Sequence, residues 1–244
     1  MSWVLGPRYV LRRYCALRLV ARLRPARVLE VGCGAGDLIA RVAAGGCEAV
    51  GVDSSPAARA EAESRSGRCA GRLAVRSELP DGAFDLVMAF EVLEHVERER
   101  EALAAWVARV RPGGHLLLSV PAHHRRWGPS DVWAGHFRRY ERAELRDRLR
   151  DAGLVVEGVW SYGFPLANWV EPLREWLAAR RNAQEPNWTP AERTARSGVE
   201  RGALEKLGSL LAAGPLLLPF CWLQLAFLER DWGDGYLALA RREA

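Results

Sequence analysis

Two carboxylates and an imidazole stand close together in Glu91-Val92-Leu93-Glu94-His95. If a helix begins there, the i, i+3 and i+4 spacing puts Glu91, Glu94 and His95 on one face. Such a face offers oxygen and nitrogen donors to a divalent ion, which would lower the pKa of a hydroxyl bound to it. The alternative is that the carboxylates only cap the helix. Without an ion, an imidazole is well matched to general base work near neutral pH. His95, His123, His124 and His136 are the candidates, while His115, at the head of a strand, reads as structural.

A second constellation lies upstream. Residues 28–31 are an apolar strand leading into Glu30-Val31-Gly32-Cys33-Gly34-Ala35-Gly36. Glycines there let the backbone approach a ligand at the start of the helix Leu38 to Ala44. A second strand, Ala49 to Val52, ends on Asp53, where a carboxylate can accept both hydroxyls of a ribose. A dinucleotide site would place its third glycine at position 37, but Asp37 is there and the glycine is at 36, which disfavours NAD or FAD.

The remaining elements must hold these groups. Ser55 reads as an N-cap with Pro56 in the first turn of a helix reaching about Ser66. Strand three is Leu73 to Val75, and Phe84 to Phe90 is an apolar run suited to a buried parallel strand. A helix carries Leu103, Trp106, Val107 and Val110, and Pro112-Gly113-Gly114 turns into strand five, Leu116 to Val120. A helix around Glu141 to Ala152 and a strand Leu154 to Trp160 follow, with Tyr236 to Ala240 as the last strand. Strands alternating with helices predict a doubly wound α/β sheet.

The landmarks E-x-G-x-G-x-G, Gly51-Val52-Asp53, Phe84-Asp85-Leu86-Val87, Val92-Leu93-Glu94-His95 and Arg111-Pro112-Gly113-Gly114 occur in an order that resembles the class I S-adenosylmethionine-dependent methyltransferases. The resemblance covers about residues 26–160. It implies a Rossmann-like seven-stranded sheet whose last strand is antiparallel. It also implies that Glu30, Gly32, Gly34 and Gly36 wrap the methionine end of S-adenosylmethionine, that Asp53 holds the ribose, and that Phe90 and Glu91 line the pocket. The family often has an acid after strand three for the adenine. Here that stretch is Val75-Arg76-Ser77-Glu78-Leu79, so Ser77 or Glu78 takes the part.

The E-x-x-E-H spelling is similar to that of ubiquinone-type O-methyltransferases and small-RNA 2′-O-methyltransferases. By that resemblance His136, in Gly135-His136-Phe137, joins Glu91, Glu94 and His95 around a divalent ion. Two carboxylates and two imidazoles suit magnesium, manganese, iron or zinc without choosing among them.

Composition narrows the classes. The net charge of +5 comes almost wholly from arginine, with Lys206 the one lysine, a bias that need not reflect a polyanionic partner. No RNA-binding module accompanies it, so nucleic acid is not expected as a partner. Five cysteines without C-x-x-C spacing suggest neither a disulfide framework nor a zinc knuckle, which fits a cytoplasmic protein. Arginines interrupt the first apolar residues before a signal-peptide core can form.

Four parts are expected: an amphipathic helix in 1–25, a cofactor-binding core in 26–162, a helical and apolar insertion in 163–230, and a final strand in 231–244. Leu207 to Leu228 is uncharged for 22 residues but holds Gly208, Gly214, Pro215 and Pro219. A single span would put the last strand on the wrong side of the membrane, so the run either lies in the interface or covers the pocket. Eight of the ten tryptophans follow residue 120, and Trp127, Trp133, Trp160 and Trp169 flank the loops that roof the pocket. They favour a hydrophobic or glycosylated small acceptor, such as a quinone, lipid or secondary metabolite. The competing expectations are an RNA 2′-O-methyltransferase and a non-catalytic cofactor-binding module docked to a membrane or partner.

Overall fold

The computed structural model describes residues 6–69, 71–184, 189, 193 and 215–243. Seven strands form one sheet: β1 (Arg27–Val31), β2 (Glu48–Val52), β3 (Leu73–Arg76), β4 (Phe84–Phe90), β5 (Val110–Pro121), β6 (Leu154–Tyr162) and β7 (Gly235–Arg242). Their order is β3-β2-β1-β4-β5-β7-β6. β1 to β5 run parallel, and β7 lies antiparallel between β5 and β6. This is the sheet expected from the sequence. Strand order reverses direction between β1 and β4, which opens a crevice at their C-terminal ends. Both constellations follow these two strands.

Side chains alternate across the sheet because strand residues point to opposite faces. Val87, Ala89, Leu116, Leu118, Tyr236 and Ala238 pack on one face against α4 (Glu99–Ala108) and α6 (Arg142–Asp151). Leu86, Met88, Leu117, Leu237 and Leu239 pack on the other, where Ile39 and Val42 of α2 (Asp37–Ala44) and Cys15, Ala16 and Val20 of α1 (Pro7–Leu23) meet them. Burial on both faces explains why β4 reads as an apolar run rather than as an alternation. Ser55 caps α3 (Pro56–Ser66) by accepting from the Ala58 N–H at 3.3 Å. The expected turn at Pro112-Gly113-Gly114 instead lies inside β5, whose pairing with β4 is irregular at Phe84/Leu86.

Between β6 and β7 the described residues include α7 (Leu166–Gln184) and the short α8 (Leu218–Leu223). Val10, Leu11, Ala167 and Cys221 form a third cluster joining α1, α7 and α8. Buried Gln224 secures it, donating to the Leu11 carbonyl and accepting from the Gly163 N–H, both at 3.1 Å. Most of the polar stretch 182–202, and residues 207–214 of the uncharged run, lie outside the described residues. No helix among the described residues is long and apolar enough to cross a membrane.

Candidate functional site

The glycine turn is held in a backbone form that L side chains avoid. Gly32, Gly34 and Gly36 have φ of 67°, 54° and 75°. A Cβ on Gly32 would lie 2.4 Å from Val92 Cγ2, and one on Gly36 would lie 2.8 Å from Ala62 Cβ. Asp53 ties this turn to the tip of β2, accepting from the Gly34 N–H at 2.8 Å and the Ser55 N–H at 2.9 Å. Glu30 is buried beneath the turn, and its Oε2 has no hydrogen-bond partner among the described residues. Burial pushes its carboxyl up to about 8, with Arg12 opposing. Ser77 and Glu78 follow β3 at the same edge of the sheet, both exposed.

The roof over these groups comes from α1. Arg8 donates to Glu91 Oε2, its Nε lies 3.0 Å from Asp234 Oδ2, and an Arg12 nitrogen lies 3.7 Å from Glu91 Oε1. Arg12 also lies over the Phe90 ring, 5.6 Å from its centroid. Tyr9 and Arg13 each donate to Asp37 at 2.8 Å, fixing α1 to the start of α2. The sequence reading identified this helix as amphipathic and basic but not what its arginines face.

Glu91 therefore has a different place from the one its spacing suggests. Its φ is 56°, and the only helical turn that follows at once is a 3₁₀ turn over Leu93–His95, so no helical face carries Glu91, Glu94 and His95 together. Besides Arg8 and Arg12, Glu91 Oε1 accepts from Ser119 at 2.9 Å and from Tyr162 at 3.0 Å. Burial acts to raise this carboxyl, but Arg8, Arg12 and the Ser119 hydroxyl outweigh it and bring it down to about 2.

Glu94, His95 and His136 do converge. One donor atom of each lies within 4.8 Å of the others, and the two imidazole centroids are 4.6 Å apart, edge to face. His136 Nε2 is 3.9 Å from Glu94 Oε1. Glu94 is fully buried, and neither carboxylate oxygen has a hydrogen-bond partner among the described residues. Burial, and then the charge of Glu91, raises its carboxyl far above the usual range. Burial and His136 bring the His95 imidazole down to about 4.

Behind His136, buried Asp131 lies 2.8 Å from Nδ1 and accepts from Arg139 Nε at 2.9 Å. Such a partner fixes the ring so that Nε2 faces Glu94. Asp131 was not singled out from the sequence, although it stands five residues before His136 on the helix leading to it, α5 (Pro129–Ala134). His123 belongs to a separate group, with Glu141, Asp231 and Tyr236. Of the four histidine base candidates the structure joins His95 and His136, sets His123 apart, and leaves His124 exposed with its Nε2 2.7 Å from Glu144.

Residues 8–159 match the family model described as a methyltransferase domain. Over 148 residues the chain is 34% identical to a probable S-adenosylmethionine-dependent methyltransferase of Mycolicibacterium smegmatis, covering 57% of this chain and 56% of that one. Over 101 residues it is 39% identical to a ubiquinone biosynthesis O-methyltransferase of Alkalilimnicola ehrlichii, covering 38% and 41%. The chain thus spans about half the length of these curated relatives. Among solved structures it is similar to the N-methyltransferase NodS of Bradyrhizobium japonicum in complex with S-adenosylhomocysteine. That match has 25% identity and a TM-score of 0.53, and covers 63% of this chain and 79% of NodS.

Proposed function

The chain belongs to the methyltransferase domain family, and on that premise we propose that it moves a methyl group from S-adenosylmethionine to an oxygen of a hydrophobic or glycosylated small molecule. The observation carrying this reading is the convergence of Glu94, His95 and His136 beyond β4, next to the crevice that the glycine turn and Asp53 line. A relative named ubiquinone biosynthesis O-methyltransferase supports the oxygen acceptor, and NodS, an N-methyltransferase holding the demethylated cofactor, supports the methyl donor alone.

The residues present fit the cofactor. Glu30 offers a buried, unpartnered oxygen to an ammonium group, and the turn brings bare backbone within reach of a carboxylate. Asp53 keeps lone pairs for ribose hydroxyls beyond the two N–H bonds it accepts. Phe90 gives an apolar wall, and Ser77 and Glu78 are placed for the adenine edge.

The donor set Glu94, His95 and His136 fits a divalent ion such as magnesium, manganese, iron or zinc, since an unpartnered buried carboxylate beside two imidazoles is otherwise uncompensated. When bound, the ion would act as a Lewis acid toward the acceptor hydroxyl. Glu91 stays outside this set, its charge balanced by Arg8 and Arg12. Without an ion, His136 serves as the base, its Nδ1 held by Asp131 and its Nε2 directed inward.

The proposed function includes peripheral contact with the cytoplasmic face of a membrane, from which a lipophilic acceptor would enter. Exposed positions on α7 include Trp169, Pro172, Leu173, Trp176 and Ala179, followed by Arg180. Leu216, Leu218, Trp222 and Leu223 continue this surface, and the Trp169 and Phe220 rings meet at 6.3 Å. Tryptophans with arginines at their rim suit a lipid interface. The described end of the 207–228 run and the N-terminal helix lie together here. Co-sedimentation with anionic vesicles that persists in Trp169→Ser/Trp222→Ser would count against this contact.

Transfer of labelled methyl into lipid, small-molecule, RNA and protein fractions, with and without chelator, tests the reaction. The expected result is label in the lipid or small-molecule fraction, lost with chelator, restored by a divalent ion, and absent in Asp53→Ala. Label in RNA would overturn the acceptor class, and label indifferent to chelator would overturn the metal.

A further inference from the structure

His123, Glu141 and Asp231 form a second group of ligand-type side chains, apart from Glu94, His95 and His136. One donor atom of each lies within 4.8 Å of the other two. They come from three segments: the exit of β5, the N-cap of α6 and the approach to β7.

His123 is 4% exposed, whereas the side chains of Glu141 and Asp231 are about half exposed, at 47% and 48%. The imidazole Nδ1 lies 3.3 Å from Tyr236 Oη and 3.6 Å from Glu141 Oε2. Its Nε2 is buried, has no hydrogen-bond partner among the described residues, and faces Asp231 Oδ1 at 3.9 Å. Glu141 Oε1 is taken by the His124 N–H at 2.9 Å, which leaves Oε2 for another partner. Asp231 Oδ1 accepts from the Tyr236 hydroxyl at 2.7 Å and lies 3.4 Å from an Arg142 nitrogen.

A buried imidazole nitrogen without a partner is costly, and native structures seldom leave one so. At 3.9 Å the gap to Asp231 is too long for a hydrogen bond, but it suits two ligands of a common ion. Tetrahedral zinc with bonds of about 2.0–2.1 Å needs ligand atoms roughly 3.3 Å apart. The two half-exposed carboxylates can close that difference by rotation. Two carboxylates against one guanidinium leave a net negative charge to attract a cation.

We propose that His123, Glu141 and Asp231 bind a divalent transition-metal ion of the zinc class, with water completing the coordination. Histidine nitrogen with carboxylate oxygens is a donor set that zinc accepts readily. His123 and Glu141 bracket the segment that carries Asp131 and His136, so the ion fastens both ends of that segment to the approach to β7. Arg142 competes with it for Asp231.

The test is zinc retention by the full chain after equilibrium dialysis, in a His95→Ala/His136→Ala background that removes the other ligand group. This measurement does not depend on methyl transfer, so the two readings fail separately. The expected result is one zinc per chain, with affinity lowered at least tenfold by Glu141→Gln/Asp231→Asn and raised by Arg142→Gln. Both carboxylate substitutions are at half-exposed positions, and circular dichroism verifies that the fold is kept. No retained zinc, or retention unchanged by Glu141→Gln/Asp231→Asn, overturns the proposal.

Discussion

Asp131 Oδ1 lies 2.8 Å from His136 Nδ1, and this contact decides which nitrogen of the ring faces Glu94. Burial opposes the Asp131 charge, but His136 and Arg139 outweigh it and bring the carboxyl down to about 2, so it is ionised throughout the working range. Nδ1 is thus the nitrogen that donates to Asp131, and Nε2 is the one turned inward. Asp131→Asn is expected to lower methyl transfer by about 10–100-fold. Nitrogen chemical shifts of the His136 ring separate loss of orientation from loss of folding. An unchanged tautomer in the variant would refute the orienting role.

If Glu30 takes the cofactor's ammonium as proposed, binding is expected to depend on pH. Burial raises its carboxyl to about 8, so the free protein holds a proton there at neutral pH. Pairing with an ammonium group favours the ionised form, so binding releases that proton. Affinity should rise about tenfold per pH unit from pH 6 toward about pH 8 and fall again once the ligand's ammonium loses its proton. Calorimetry at pH 7 in buffers of different ionisation heat is the check, and a binding heat independent of buffer would contradict it.

Gly32→Ala meets two obstacles at once. Its φ of 67° costs an L residue about 1–2 kcal/mol, and the new Cβ would lie 2.4 Å from Val92 Cγ2. Loss of cofactor affinity is expected together with a lower melting temperature. Gly71→Ala, with φ 74° but nothing within 4 Å of its Cβ, should lower the melting temperature alone.

Arg8→Ala strips a cation from two carboxylates, Glu91 and Asp234. Removing one partner of a buried pair costs about 3–5 kcal/mol, and the partial exposure of Arg8 reduces that figure through screening. The pH dependence has a definite sign. Glu91 falls from its ordinary 4.5 to about 2 in the folded protein, so its contribution is present above pH 4.5 and lost as pH falls toward 2. The variant should unfold in acid at a higher pH than the parent, as followed by circular dichroism.

The parts of the site visible in the sequence are those dictated by local backbone geometry. Gly32, Gly34 and Gly36 sit where φ is positive, Asp53 ends a strand, and β4 is apolar because both its faces are covered. The doubly wound sheet followed from the same alternation of strands and helices, its antiparallel last strand from the family resemblance, and the strand order came from the structure. The roof was not visible, because Arg8 reaches Glu91 across 83 positions and no spacing rule spans that distance. The shared face of Glu91, Glu94 and His95 failed for a related reason. Arg8, Ser119 and Tyr162 capture Glu91 from three other elements, and the backbone turns left-handed at that residue. His136 was placed by resemblance, while the carboxylate behind it, Asp131, needed coordinates to be noticed.

Because β7 fills the gap between β5 and β6, and Asp234 just ahead of it lies 3.0 Å from Arg8, two segments 226 positions apart meet at one point. On the ribosome, α1 and the parallel strands emerge long before that partner does. The nascent chain therefore holds Arg8 against Glu91 alone until translation has passed residue 234. A chain halted upstream would lack the strand between β5 and β6 and, with it, this second anchor of α1, so the order of synthesis delays the fastening of that helix.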